Sequence, residues 1–198
     1  FFPMDAETIA YLRMTGREPS QCALVERYAR LQGLFQDRNS PDPIYSRTIE
    51  LDLATVAASI AGPKKPHDHQ PVGEIKQRFL DALPAAPDAG GFGVPAGRLN
   101  TVAPLPDGSE MRHGSIAIAS ITSCTNTSNP VLLLAAGLIA RKAVARGLAV
   151  PPFVKTSLIP GSRVVTAYLA NTGLLPALEQ LGFGVAAYGC GTCIGNSG

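Results

Sequence analysis

The sequence of 198 residues predicts an α/β protein with a parallel sheet and helical crossovers in its C-terminal part. Residues 115–122 form a continuous β-prone run without polar alternation, as expected for a strand covered on both faces. From there to residue 188, strand-like and helix-like segments alternate. This order is typical of a parallel sheet, because each helical crossover returns the chain to the same end of the sheet.

The N-terminal part predicts two helices and one strand. Asp5 can cap a first helix that ends at Gly16, and Pro19 occupies a position that favours the first turn of a second helix. Residues 47–53 alternate cleanly between apolar and polar side chains. This alternation predicts a half-buried strand.

The middle of the chain predicts a connector followed by a hairpin. Residues 61–71 are rich in Gly, Pro, Lys and His, and we interpret His67-Asp68-His69 as part of a solvated loop rather than a metal site. Residues 72–80 have helical spacing, and a flexible Pro- and Gly-rich segment follows them. Pro106-Asp107-Gly108 is a turn sequence that predicts the hairpin.

The C-terminal part predicts three strands joined by helices. Asn129 and Pro130 supply the N-cap and first-turn residues of the first helix. The strands are predicted at 115–122, 153–158 and 185–188, and the helices at 131–146, 162–171 and 176–181.

The composition excludes several classes of protein. With 45% hydrophobic and 16% charged residues, the chain is expected to be globular rather than disordered. A formal net charge of +2 indicates no basic face for nucleic acid, and the apolar run 131–140 is too short to span a bilayer. The cysteine usage and the lack of a secretory pattern predict a reducing, cytoplasmic environment. The first residue is not Met, so we expect a part of a longer protein.

Three of the four cysteines follow predicted strands. Cys124 comes after the first strand, and Cys190 and Cys193 come after the last one in a glycine-rich CxxC turn. Since the carboxyl ends of parallel strands meet at one edge of a sheet, we expect these thiols to converge there with the turn at 160–162. Cys22 lies in the first turn of a helix, where we expect a small, partly buried residue.

The chemistry of three thiols is open to more than one interpretation. Four-cysteine sites are usual for zinc and for iron–sulfur clusters that only transfer electrons, whereas three cysteines leave one iron open to act as a Lewis acid. Neither Cys22 nor His113 is obviously placed as the fourth ligand of a structural zinc, and a redox pair would not need Cys124. The spacing favours an iron–sulfur site but leaves zinc, redox thiols and a chance arrangement as alternatives.

Two motifs resemble the aconitase family. They are Ile121-Thr-Ser-Cys-Thr-Asn-Thr-Ser-Asn-Pro130 and Tyr188-Gly-Cys-Gly-Thr-Cys-Ile-Gly-Asn-Ser-Gly198. The chain is most similar to the branch that contains bacterial aconitase A and the cytosolic aconitase/iron regulatory proteins. Shorter matches to that branch occur in the same order, at residues 1–3, 12–17, 50–53, 62–64, 155–158 and 160–162.

The resemblance implies a three-layer α/β/α fold with a [4Fe–4S] cluster at the carboxyl ends of the strands. Cys124, Cys190 and Cys193 would hold the cluster, and the remaining iron would bind the hydroxyl and a carboxylate of citrate or isocitrate. The family interconverts these acids through cis-aconitate, a hydro-lyase reaction of the tricarboxylic acid cycle. Asn126 and Ser162 lie in matching motifs and could contact the cluster or the substrate.

The resemblance also implies that part of the active site is missing. The family's serine base, its arginine-rich segment and the early histidine and aspartate residues have no counterpart here, so we expect no catalytic residue in this chain. Residues 1–62 would end the second family domain, and 63–113 would form a linker and hairpin. Residues 114–198 would begin the third, cluster-binding domain. The remaining domains would be the chain's main partners, together with a small tricarboxylic acid.

Three functional hypotheses follow from the resemblance. The first is a citrate/isocitrate hydro-lyase, and the second is a 2-methylcitrate dehydratase or methylaconitate hydratase. The third is an iron-responsive regulator that binds RNA stem-loops when it carries no cluster. The charge pattern supports no basic RNA face on this part of the protein, and no membrane partner is expected.

Overall fold

The computed structural model describes residues 3–65, 67–123 and 129–191, apart from the side chain of Ser123. The chain divides into two compact units, residues 1–53 and 54–198. The structure is of the mixed α/β class, with helices and small sheets. None of the helices in the described ranges combines the length and apolar content needed to cross a bilayer.

The first unit contains the two helices that the sequence predicts. They are α1 (Ala6–Met14) and α2 (Pro19–Leu31). Asp5 caps α1 by accepting a hydrogen bond of 2.9 Å from the Thr8 amide, and the hydrogen bonds from Thr8 lower the pKa of Asp5. Cys22 on α2 is fully buried, so its thiol serves the packing of this unit.

The prediction of a strand at 47–53 was wrong. Residues 47–52 have no regular structure, and a 3₁₀ turn follows at Leu53–Thr55. The side chains of Ile49 and Leu51 are 82% and 67% exposed. Alternation produces a strand only where a second strand supplies hydrogen bonds, and none of the strands in the described residues pairs with this segment.

The second unit begins with a hairpin that the sequence did not predict. The strands β1 (Ser59–Ala61) and β2 (His69–Pro71) pair in antiparallel fashion. The imidazole Nε2 of His69 lies 2.8 Å from the hydroxyl of Ser59 on the opposite strand. His69 therefore takes part in a small sheet, within a region where a connector was expected.

A helix and the predicted second hairpin follow. Residues 75–82 form α3 (Ile75–Ala82) after a 3₁₀ turn. The strands β3 (Val102–Pro104) and β4 (Glu110–Arg112) pair in antiparallel fashion, which confirms the predicted hairpin. In its turn, Asp107 accepts hydrogen bonds from the hydroxyl and amide of Ser109, which lower its pKa.

The C-terminal part forms a parallel sheet with helical crossovers. The strands β5 (Ile118–Ser123) and β6 (Lys155–Pro160) pair in parallel, with Ile121 opposite Leu158. The predicted third strand is reduced to one parallel bridge between Val185 and Leu158, on the other side of β6. The elements in chain order are β5 (Ile118–Ser123), α4 (Pro130–Ala145), β6 (Lys155–Pro160), α5 (Arg163–Asn171) and α6 (Leu175–Gln180).

The core lies between this sheet and its helices. Leu158 at the centre of β6 is fully buried, as are Val165 and Leu169 of α5. Burial of such side chains stabilises a fold by about 1.5–3 kcal/mol each. Gly137 of α4 allows close packing, because a Cβ atom there would lie 2.8 Å from the Cβ of Leu174.

We expect Gly137→Ala to destabilise the second unit, although alanine is the better helix former. The gain in helix propensity is about 1 kcal/mol, whereas overpacking of a core costs about 1–3 kcal/mol. The Cβ of Leu174 is fixed to the backbone and cannot rotate away, so we expect the overpacking cost to dominate. Urea denaturation should show a lower free energy of unfolding.

Gly97→Ala is the matched control for this substitution. Gly97 lies in a 3₁₀ turn, and a Cβ atom there would meet no atom within 4 Å. Its replacement should leave stability unchanged or slightly raised. A Gly137→Ala variant as stable as this control would contradict the packing argument.

Candidate metal centre

The carboxyl ends of the parallel strands meet at Pro160. Ser123, the last residue of β5, lies opposite Pro160 in the sheet register. On the other side of β6, the amide of Gly189 donates a hydrogen bond of 2.9 Å to the carbonyl of Pro160. The backbones that lead into Cys124 and into Cys190 therefore flank the same residue of β6.

Cys190 is the one predicted ligand that lies within the described residues. It is exposed and follows Gly189, whose φ of +123° favours glycine. Gly191 on its other side is buried, and a Cβ atom there would lie 2.5 Å from Cδ1 of Ile159. Glycine is thus favoured on both sides of the thiol, before it for its conformation and after it for its space.

Two of the predicted ligands lie outside the described residues. Cys124 and Cys193 belong to the segments 124–128 and 192–198, as does the predicted contact residue Asn126. Within residues 3–65, 67–123 and 129–191, no group of three His, Cys, Asp or Glu side chains could hold a metal ion. The ligand set of Cys124, Cys190 and Cys193 therefore stays a prediction.

Ser162 lies at the same edge of the sheet, as the N-cap of α5. The residue is half-buried and has extended backbone. Its side chain forms no capping hydrogen bond with the amides of α5 that the structure describes. Unlike Asn129, which caps α4 by accepting a hydrogen bond of 3.2 Å from Val131, Ser162 does not use its hydroxyl to cap the described part of its helix.

Two helices begin at this edge. The short turn of Gly161 and Ser162 joins β6 to α5, and α4 begins at Pro130 after the segment that follows β5. Helix N-termini carry partial positive charge and favour anions. An edge with a thiol and two such termini is chemically suited to thiolates and to a carboxylate ligand.

Sequence reasoning missed one interaction at this site. The hydroxyl of Tyr188, two residues before Cys190, lies 3.0 Å from the hydroxyl of Thr166 on α5. The two residues are distant in the sequence, and neither has a spacing that would link it to the other. From the sequence, Tyr188 was recognised only as the end of the predicted strand 185–188 and the start of the cysteine motif.

The chain fits a thiolate-bound cluster at this edge. Thiolates are the usual ligands of iron–sulfur clusters, and Cys190 is exposed and lies between two glycines. The positive helix ends would offset the negative charge of the thiolates.

Comparison with known proteins shows to which family this chain, with its parallel sheet and exposed Cys190, is similar. A model of the aconitase family (aconitate hydratase) matches residues 1–198. The chain is 50% identical over 200 residues to aconitate hydratase A of Deinococcus radiodurans. It is also 50% identical, over 202 residues, to the aconitate hydratases A of Bacillus subtilis and Thermus thermophilus.

The chain therefore belongs to the aconitase family. These matches cover 100% of the chain and 22% of the length of each relative. The family assignment confirms the resemblance on which the cysteine motifs were interpreted. The relatives are aconitate hydratases by name.

We expect Gly191→Ala to destabilise the segment that carries Cys190. The new methyl group would collide with Ile159, which is only 9% exposed, so the cost should be about 1–3 kcal/mol. Adding Ile159→Val removes the Cδ1 atom nearest to the new methyl group and should restore part of the loss. Denaturant unfolding of the single and double variants measures both effects.

Gly184→Ala is the control, because Gly184 lies in the same segment and a Cβ atom there would meet nothing within 4 Å. Equal stability of the Gly191→Ala and Gly184→Ala variants would show that residue 191 does not need to be glycine for space.

Proposed function

We propose that this chain is the cluster-binding part of an aconitate hydratase that interconverts citrate and isocitrate through cis-aconitate. The observation that carries the proposal is the meeting of Ser123, Pro160 and Gly189 at one edge of the sheet. This supports a shared metal centre, because the residue before Cys124 and the residue before Cys190 both lie next to Pro160. Membership of the aconitase family supports the same reaction.

The cofactor in this proposal is a [4Fe–4S] cluster held by Cys124, Cys190 and Cys193. When bound, the cluster supplies an iron without a cysteine ligand, which acts as a Lewis acid on the substrate hydroxyl. The cluster would lie at the carboxyl ends of the strands in a three-layer α/β/α domain. Thiolates are suitable ligands for an iron–sulfur cluster, whereas magnesium and calcium prefer oxygen ligands.

The residues of this chain would bind and orient the anionic substrate. The amides at the start of α5 and the hydroxyl of Ser162 can donate hydrogen bonds to a carboxylate, and Asn126 could contribute a further one. The first turn of α5 contains no acidic residue that would repel the substrate. Fixing the carboxylates in this way would orient the carbon that loses its proton.

Other domains of a longer protein would complete the site in this proposal. The chain spans 22% of the length of its relatives, and the resemblance to the family implies that the group that moves the proton lies elsewhere. The second domain would end with residues 1–62, and the third would begin with residues 114–198. A linker and hairpin, residues 63–113, would connect the two domains. The partners are these domains and a small tricarboxylic acid, in the cytoplasm.

We expect each of the substitutions Cys124→Ser, Cys190→Ser and Cys193→Ser to prevent cluster assembly. A hydroxyl is a poorer ligand for iron than a thiolate, so full-length protein treated with iron and sulfide should keep little of either. Iron and sulfide analysis and the visible absorbance of the cluster measure this. Cys22→Ser is the matched control, since Cys22 is fully buried in the other unit.

Normal iron and sulfide content in the Cys124→Ser variant would contradict the proposed ligand set. The Cys22→Ser variant should load its cluster as the wild type does. If this control also failed to load its cluster, general destabilisation would explain the loss of loading in the other cysteine variants.

We expect the 198-residue chain by itself to show no hydro-lyase turnover, even with its cluster assembled. The reaction needs a base to remove a proton from carbon, and such a group typically contributes about 10²–10⁴-fold to the rate. Loss of the cationic groups that would hold the other carboxylates should lower the rate further. The formation of cis-aconitate from citrate, followed by absorbance, measures turnover.

Binding and turnover should separate in this experiment. Citrate should still perturb the spectrum of the assembled cluster, while the full-length protein, treated in the same way, provides the active control. Turnover by the short chain near that of the full-length protein would place the whole chemistry within these residues and would contradict the proposed division.

A further inference from the structure

We propose that the hydrogen bond between Tyr188 and Thr166 is a positioning contact that holds Cys190 at the end of β6 and slows the loss of iron from the cluster. The two hydroxyl oxygens lie 3.0 Å apart. The inference rests on the proposed function, because it takes Cys190 to be a cluster ligand. It adds two residues that touch neither the cluster nor the substrate.

The segment that carries Cys190 needs such a contact. Residues 184–191 form no strand of their own, although the amides of Ala186 and Gly189 donate hydrogen bonds to β6. Gly189, directly before Cys190, has the conformational freedom of glycine. The side chain of Tyr188 is 47% exposed, so burial holds it only in part. Its hydroxyl contact therefore adds a side-chain restraint to the backbone hydrogen bonds just before the thiol.

Thr166 provides a rigid anchor for this contact. It lies on α5 between Val165 and Leu169, which are both fully buried in the core. The hydroxyl of Thr166 also donates a hydrogen bond of 2.9 Å to the carbonyl of Arg163. Because a threonine hydroxyl has one proton, the Tyr188 hydroxyl must be the donor in its bond to Thr166.

The direction of these bonds links two parts of the site. The Tyr188 hydroxyl donates to Thr166, which donates to the carbonyl of Arg163, the first residue of α5. Arg163 follows Ser162, the proposed substrate contact. The chain of hydrogen bonds thus fixes the residues before Cys190 to the same helical turn that would face the substrate.

The contact can be removed from either side. Tyr188→Phe deletes the donor and Thr166→Val deletes the acceptor, each with little change in side-chain volume. Thr166→Ser keeps the hydroxyl and should restore wild-type behaviour. Thr172→Val is the matched control, because the Thr172 hydroxyl also bonds a backbone carbonyl of α5, that of Tyr168 at 2.7 Å, and forms no bond to residues 184–191 that the structure describes.

The experiment measures the release of iron from full-length protein with its assembled cluster, in the presence of a chelator and without oxygen. Loss of one neutral hydrogen bond should speed release about three- to tenfold in Tyr188→Phe and in Thr166→Val. The double variant should be no faster than either single variant, since both remove the same bond. The unfolding midpoint of the cluster-free protein should stay close to that of the Thr172→Val control.

The outcomes separate the positioning role from the proposed function. Release at the wild-type rate in both single variants, or effects that multiply in the double variant, would overturn the positioning role and leave the ligand set intact. Faster release that merely follows a lowered unfolding midpoint would overturn it as well. Normal loading by Cys190→Ser would overturn the ligand role of Cys190, and the positioning proposal with it.

Discussion

The parallel pairing of β5 with β6 is the interaction on which the rest of the C-terminal part depends. Its register sets Ile121 and Leu158 side by side towards the helices and brings Ser123 level with Pro160. A shift of one residue would turn the apolar side chains of β5 to the opposite face of the sheet. The same shift would move the start of the cysteine segment along the edge. Core packing and the geometry of the candidate centre are therefore set by one register.

The lengths of the connections carry this constraint to the helices. Only Gly161 and Ser162 separate β6 from α5, so the N-terminus of that helix cannot lie far from the end of the strand. Buried residues of α5, such as Leu169, then hold the helix against the sheet. Part of the electrostatic character of the edge follows from backbone connectivity, because the peptide dipoles of the helix point there.

The sequence predicts well those features that depend on neighbouring residues. The cap at Asp5, the first-turn proline at Pro19 and the turn at Asp107 all act within a few residues, and the structure has each of them. Features that depend on a partner distant in the sequence were harder to predict. Residues 47–53 alternate but have no strand to pair with, and the hydroxyl contact of Tyr188 joins positions 22 residues apart. The convergence at Pro160 was predictable because the rule for parallel sheets is itself non-local.

β5 has consequences for the behaviour of this chain in isolation. Within the described residues β6 is its one partner strand, so the first half of β5 lies at an edge of the described sheet. Ile116, two residues before β5, is 65% exposed, and Ile118 at its start is 50% exposed. An apolar strand edge of this kind is a template for pairing with a second molecule. Preparations of the chain alone will therefore tend towards edge-to-edge aggregates, and charged substitutions on β5 offer a way to keep it monomeric.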